Sequence, residues 1–357
     1  MNINHGANLY ELSKSLGFSK SDFFDFSSNI NPLGCSNIAK KYVVDNIDMV
    51  SIYPDPNYID LKNSISNYCK CLSQNIVLGN GATQLISGFI NTINPTNALL
   101  ICPVYSEYEK ELNKINCNID KYFHKVENDF IIDINDLCNT ISNNNYDLVI
   151  ICNPNNPTGF TFSKNNIEKL LKSSNSFFMI DETYIEFTDM DKFSSTSLVD
   201  TYDNLFIIRG TSKFFSTPGI RLGYGLISNT KVKNSINSHL DLWNINIFSS
   251  IMGEVMFKDY DFIKNSYDLI NNERKYLLDE LNLINNLKVY NTNSNFILCE
   301  IKSKKLTSSE LKSKLLNKRI IIRDCSSFEG LNEYFFRVCV LKHEENKLLI
   351  NSIKSII

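Results

Sequence analysis

The chain has 357 residues, 43% of them hydrophobic and 21% charged, and a formal net charge of −3. That length exceeds one ordinary core and predicts a large and a small lobe, while the weakly acidic balance supplies no concentrated basic surface for nucleic acid or an anionic membrane. No apolar run approaches the ~18 residues that span a bilayer, and the start Met1-Asn2-Ile3-Asn4-His5 lacks the basic-then-apolar order of a signal peptide. Ten cysteines are scattered, several inside apolar runs (Cys102, Cys152, Cys299, Cys339), and read as buried, reduced thiols rather than a disulfide framework. Cys69 and Cys71 have no second pair at zinc-ligand spacing, so no metal site is expected. The expectation is a cytoplasmic protein without a nucleic-acid or membrane partner.

In chain order, a helical pattern near residues 8–16 is followed by an irregular stretch. Runs at 98–102 (ALLIC), 147–152 (DLVIIC), 177–180 (FFMI) and 205–208 (LFII) are almost continuously apolar, the mark of parallel strands covered on both faces. Between them lie helical patterns, one at 163–173 opened by Ser163 as N-cap. This alternation predicts an α/β domain with a mostly parallel sheet. After Trp243 the pattern changes to a long helical stretch at about 250–284, strands at 296–301, 320–323 and 334–340, and helices at 308–316 and the C-terminus. The expected division is an N-terminal arm at 1–35, a large domain at 36–245 and a smaller α+β domain at 246–357.

Ligands of a parallel α/β sheet bind beyond the carboxyl ends of its strands, and the unusual polar residues fall there. Ile76-Val77-Leu78 leads into Gly79-Asn80-Gly81-Ala82-Thr83-Gln84, a Gly-rich turn entering a helix and therefore a candidate anion site. DLVIIC leads into Asn153-Pro154-Asn155-Asn156-Pro157-Thr158-Gly159, FFMI into Asp181-Glu182-Thr183-Tyr184, and LFII into Arg209-Gly210-Thr211-Ser212-Lys213, with Arg221 eight residues after the lysine. Singly, each has a plainer reading as a turn, a helix cap or a solvated lysine.

Taken in order, these motifs resemble the fold-type I pyridoxal-phosphate enzymes, the aminotransferase class I/II family. The resemblance implies pyridoxal 5'-phosphate as cofactor, with Lys213 as its Schiff-base lysine and Asp181 facing its pyridine nitrogen. It implies Asn156 and Tyr184 as donors to the phenolate oxygen, Tyr105 as the stacking ring, and Gly81, Ala82, Thr83, Ser212 and Arg221 around the phosphate. Tyr53, in Tyr53-Pro54-Asp55, resembles the tyrosine that reaches the partner's phosphate across a homodimer interface; a surface turn is the plainer reading. Within the family, the opening His5-Gly6-Ala7-Asn8 and Asp25-Phe26-Ser27-Ser28-Asn29-Ile30-Asn31-Pro32-Leu33-Gly34 is similar to the threonine-phosphate decarboxylases, while the later part is shared with histidinol-phosphate aminotransferases. That implies a small phosphorylated amino-acid substrate held by His5, Asn29, Arg323 and Arg337. Two positions depart from the pattern: Gly210 stands where a Ser or Thr is usual, and Lys342 stands near where a further arginine is common, so Thr211, Ser212 and Lys342 are the expected substitutes.

Overall fold

The computed structural model describes residues 9–357. Its strands are β1 (Phe24–Asp25), β2 (Ile76–Asn80), β3 (Asn97–Cys102), β4 (Asn118–Phe123), β5 (Leu148–Cys152), β6 (Phe177–Asp181), β7 (Leu205–Gly210), β8 (Leu222–Leu226), β9 (Leu287–Val289), β10 (Phe296–Ile301), β11 (Ile320–Ile321), β12 (Arg323–Asp324) and β13 (Phe335–Cys339). Seven of them form one sheet in the order β2-β8-β7-β6-β5-β3-β4. All run parallel except β8, which is antiparallel to both neighbours. Alternate side chains feed two cores: Val149, Ile151, Ile180 and Ile207 on one face, Leu148, Ile150, Met179 and Ile208 on the other. Each such buried side chain contributes roughly 1.5–3 kcal/mol, which is why these runs read as unbroken apolar segments.

The four apolar runs become β3, β5, β6 and β7 as expected, and Ser163 caps the helix Lys164–Ser173 by accepting from the Asn166 N–H at 3.2 Å. β4 and β8 escape the pattern for different reasons. β4 is a half-exposed edge strand. β8 carries Gly223 and Gly225, residues that ordinarily weaken strands. Here close packing requires them, because a Cβ on Gly223 would stand 2.6 Å from the Ala82 backbone nitrogen and one on Gly225 would enter the Phe206 ring.

The stretch at 250–284 proves to be two helices, Ile247–Met256 and Tyr260–Asn282. The break sits at Asp259, which accepts from the Phe262 N–H at 3.1 Å and from Ser36 Oγ at 2.6 Å. The strand expected at 320–323 is likewise divided. Ile320–Ile321 pairs with β1, whereas Arg323–Asp324 joins the antiparallel sheet β12-β13-β10-β9. Ile322, between them, is buried at the crossing. The segment after β1 is thereby stitched to the C-terminal part of the chain.

Behind β6 and β7 lies a buried charge cluster. Arg209 donates from Nη2 to Glu182 Oε2 at 2.8 Å, and to Ser194 and Thr196 hydroxyls at 2.7 and 2.8 Å. Glu182 Oε1 accepts from the Ser195 N–H at 2.6 Å. Glu186 has no hydrogen-bond partner on either oxygen, and its nearest cation is Arg209 Nη1 at 4.0 Å. Burial therefore pushes its carboxyl up to about 8. An acid whose folded value is raised stabilises the fold fully below its unfolded value near ~4.3, and that contribution is lost as pH climbs toward 8. Glu186→Gln should therefore match the parent's thermal midpoint at acid pH and exceed it by a few degrees above pH 8, measured by thermal denaturation across that range.

No helix among the described residues is long and apolar enough to cross a membrane. All ten cysteines are free, with Cys102, Cys152, Cys299 and Cys339 buried.

Candidate active site

A cavity of about 310 Å³ opens at the carboxyl ends of β5, β6 and β7, within the range of small-ligand sites. Asp181 ends β6 and is buried. Its Oδ2 accepts from Tyr108 Oη at 2.5 Å, and its Oδ1 from the Thr183 N–H at 2.9 Å and Oγ1 at 2.5 Å. Burial raises its pKa against these hydrogen bonds, and no ion pair to it occurs among the described residues. A buried carboxylate so placed is suited to a cationic ligand group.

On β7's side, the loop after Gly210 turns Lys213 into the cavity. Asn31 holds that loop, its N–H donating to Lys213 O at 3.0 Å and its Nδ2 to Phe214 O at 2.8 Å. Lys213 Nζ donates to Ser28 O at 2.7 Å. Burial, then the Arg337 charge, lowers its pKa to about 8, so the uncharged amine that attacks carbonyls is within reach near neutrality.

The anion end depends on one close approach that only a glycine allows. Gly81, at φ +81°, precedes the helix Ala82–Ile93, whose N-terminus has no side-chain cap. Ala82 and Thr83 line the cavity there, leaving amide donors and the positive end of the helix dipole for an anion. A Cβ on Gly81 would collide with the Arg221 guanidinium, which lines the same end. Arg221 itself sits in the left-handed region at φ 60°, a conformation that costs a non-glycine residue of order 1–3 kcal/mol. Ser212 lines the cavity, but Thr211 is buried and donates to Leu222 O at 3.1 Å. Only Ser212 is thus placed to offset Gly210, although a Cβ at Gly210 would meet nothing nearer than 3.6 Å.

In the Asn-Pro turn, Asn153 and Asn155 spend their amides on structure, Asn153 on Phe162 and Phe193 carbonyls and Asn155 on Pro103 O and Thr158. Asn156 is left facing the cavity, its Oδ1 accepting from Arg337 Nη1, which leaves Nδ2 as the group that can donate. Tyr184 lines the wall with its hydroxyl pKa pushed up to about 12 by burial.

Arg323 and Arg337 face each other across the β12–β13 register, and both line the cavity. Like charges opposite one another destabilise a sheet, so the pair is suited to a multiply anionic ligand. Arg337 is buried, donates from Nη2 to Ser27 O at 2.9 Å, and keeps an unpartnered Nε.

Several expected residues lie elsewhere. Asn29 is buried behind the wall, at φ 56°, donating to Tyr184 Oη at 3.4 Å, and does not line the cavity. Tyr53 lies outside the cavity of its own chain, 74% exposed and stacked on Trp243 at 4.2 Å. His5 falls outside the described residues. Lys342 is exposed at the start of the helix His343–Lys354 and brings no charge to the cavity. Conversely, Tyr108 and Thr183, which hold Asp181, and Phe328, which lines the cavity, were not anticipated. Tyr108 lies three residues after Tyr105, in the first turn of the helix Glu107–Lys114.

An amine, a buried carboxylate and a helix-terminal anion cradle in one cavity fit pyridoxal 5'-phosphate, and the fold is that of the fold-type I enzymes that use it. Residues 21–353 match the model of the aminotransferase class I and II family, and the chain belongs to that family, a group of pyridoxal-phosphate-dependent enzymes. It is 34% identical over 356 residues to the adenosylcobalamin biosynthesis bifunctional protein CobDQ of Leptospira interrogans, covering 99% of this chain but 41% of that one. It is 26% identical to the threonine-phosphate decarboxylase of Salmonella typhimurium, covering 100% of this chain and 97% of that one. The histidinol-phosphate aminotransferase from Clostridium acetobutylicum superposes with a TM-score of 0.87 at 35% identity, over 93% of this chain and 98% of that one.

The Lys213 amine should titrate with a midpoint near 8 in the cofactor-free protein, read by pH-dependent reductive methylation of that residue. Arg337→Gln removes a neighbouring positive charge and should move the midpoint upward.

Proposed function

We propose that the protein decarboxylates L-threonine O-3-phosphate to (R)-1-aminopropan-2-yl phosphate, the linker used in cobalamin synthesis. One observation carries this reading: the segment that most resembles the decarboxylases, Asp25 to Gly34, forms part of the site. Its Ser27 carbonyl accepts from Arg337 and its Ser28 carbonyl from Lys213. Support also comes from the named activity of the Salmonella relative and the cobalamin role named for the Leptospira one.

Bound pyridoxal phosphate supplies an electron sink for the pair left when a bond at the substrate Cα breaks. Lys213 is the catalytic residue that bonds the cofactor and takes up or returns the proton at Cα. Asp181 would hold the proton on the cofactor's ring nitrogen, Asn156 Nδ2 and the Tyr184 hydroxyl would donate to its phenolate oxygen, and Tyr105 would supply the stacking ring. Gly81, Ala82, Thr83, Ser212 and Arg221 would hold the cofactor phosphate. Arg323 and Arg337 hold the substrate's anionic groups, joined by His5 from the arm. Arg323 and Arg337 would fix the rotation of the bound substrate, and the bond they leave placed for cleavage, Cα–carboxylate or Cα–H, would select decarboxylation or transamination.

The second reading is an aminotransferase acting on histidinol phosphate or a related substrate, favoured by the likeness to the Clostridium enzyme. In either case the working unit is a cytoplasmic homodimer, with Tyr53 completing the partner's phosphate site. Exposed Ile38, Val44, Ile47, Val50, Ile52 and Leu242, on the stretches that carry Tyr53 and Trp243, support that assembly. The domains are an arm at 1–35, a large domain at 36–245 and a small domain at 246–357.

Purified holoenzyme incubated with threonine phosphate should release CO2. Amino transfer from histidinol phosphate to 2-oxoglutarate without CO2 release would sink the decarboxylase reading. Lys213→Ala should abolish turnover and the cofactor's bound absorbance, and Arg323→Leu should lower kcat/KM by roughly tenfold or more, the scale of a lost charge-assisted contact, while leaving that absorbance intact.

A further inference from the structure

Residues 325–334 join β12 to β13 and bring Phe328 into the cavity wall. The segment is folded on itself: the Ser326 N–H donates to Asp324 Oδ1 at 2.9 Å and the Leu331 N–H to Phe328 O at 3.0 Å. Arg323 is held within it. Its Nη2 donates to Ser327 Oγ at 3.0 Å, and its guanidinium stands 5.3 Å from the Phe328 ring centroid, within cation–π range. The position of the Arg323 charge therefore follows the position of this segment.

The segment is tied to the large sheet through Lys121, on β4. Lys121 Nζ lies 2.5 Å from Glu329 Oε2 and 2.8 Å from Glu109 Oε1. Glu109 belongs to the helix Glu107–Lys114, which also presents Tyr108 to Asp181. Gly330, at φ +87°, lets the segment settle on β4, because a Cβ there would stand 2.9 Å from the Phe123 ring. A single exposed ion pair contributes little. Lys121, however, is only 18% exposed and shares its charge between carboxylates on two separate parts of the fold.

We propose that Lys121 is a positioning residue for the substrate: by clasping Glu329 and Glu109 it holds residues 325–334 against β4 and so fixes Arg323 and Phe328 as the specificity wall of the cavity. This rests on reading the cavity as a site for a phosphorylated amino compound. Without the clasp the wall is free to lift, and the Arg323 guanidinium loses its fixed place over Phe328. The substrate's anionic group is then held less firmly. The cofactor's phosphate cradle, at Arg221 and the N-terminus of the helix Ala82–Ile93, takes no ion pair from Lys121, Glu109 or Glu329.

The test compares holoenzyme carrying Lys121→Met, Lys121→Arg or Glu329→Gln with the parent, using both threonine phosphate and histidinol phosphate. The readouts are KM and kcat for whichever compound is turned over, and the calorimetric Kd for both. Lys121→Met and Glu329→Gln should raise KM and Kd roughly three- to tenfold, with kcat changed less than about twofold and the cofactor absorbance intact. Lys121→Arg should restore most of the loss, and the gap between parent and Lys121→Met should narrow at ~0.5 M salt, where exposed charges are screened. Unchanged KM and Kd in both Lys121→Met and Glu329→Gln would overturn the proposal. So would a loss confined to kcat or to cofactor binding. Absence of CO2 release by the parent bears only on the decarboxylase reading, because the clasp is read from affinity for either compound.

Discussion

Four basic side chains, Lys213, Arg221, Arg323 and Arg337, face one cavity, and the fold must hold them together against their mutual repulsion. Burial and the Arg337 charge both disfavour the Lys213 ammonium. Arg337 is fixed by the Ser27 carbonyl and by Asn156, and it lies over Phe296 at 5.1 Å. The concentration of positive charge is stable because carbonyls, amides and aromatic faces, rather than carboxylates, surround it. A carboxylate partner would neutralise the arginines and leave little for an anionic ligand; the carbonyls orient them and leave their charge available.

The opposite sign is handled the same way at Asp181. Hydroxyl and amide donors from Tyr108 and Thr183 keep it in place without neutralising it. Negative charge at one point of the cavity and positive charge at the others complement in outline the charge distribution of the cofactor. The ion pairs that are formed, Arg209 with Glu182 and Lys121 with Glu109 and Glu329, lie behind or beside the cavity, where they brace the strands and the segment that carry its residues.

The segment after β1 is the common support. It pairs with β11 through β1, holds Lys213 through Asn31 and Ser28, and holds Arg337 through Ser27. A stretch with almost no regular secondary structure thus joins the lysine loop of the large sheet to the arginine strands of the small one. Its residues do most of their work with backbone carbonyls and amides, which any sequence possesses.

That explains the division between what the chain's sequence determined and what tertiary structure decided. Strands β3, β5, β6 and β7 were legible because parallel strands buried on both faces must be continuously apolar, and the motifs holding Asn156, Asp181 and Lys213 stood out as polar segments after such strands, while the order of those motifs, with Arg221 eight residues after Lys213, gave the family resemblance that implied their roles. The edge strand β4 and the glycine-bearing β8 were not, since exposure and close packing are properties of the assembled sheet. Nor could sequence separate Asn156 from Asn153 and Asn155, or place Asn29 behind the wall: identical amides take different roles according to which carbonyls surround them. Tyr108, Thr183 and Phe328 entered the site for the same reason. Residue types and their order along the chain established the chemistry available; which atoms face the cavity was settled by long-range pairing, because only packing decides which polar groups are already satisfied.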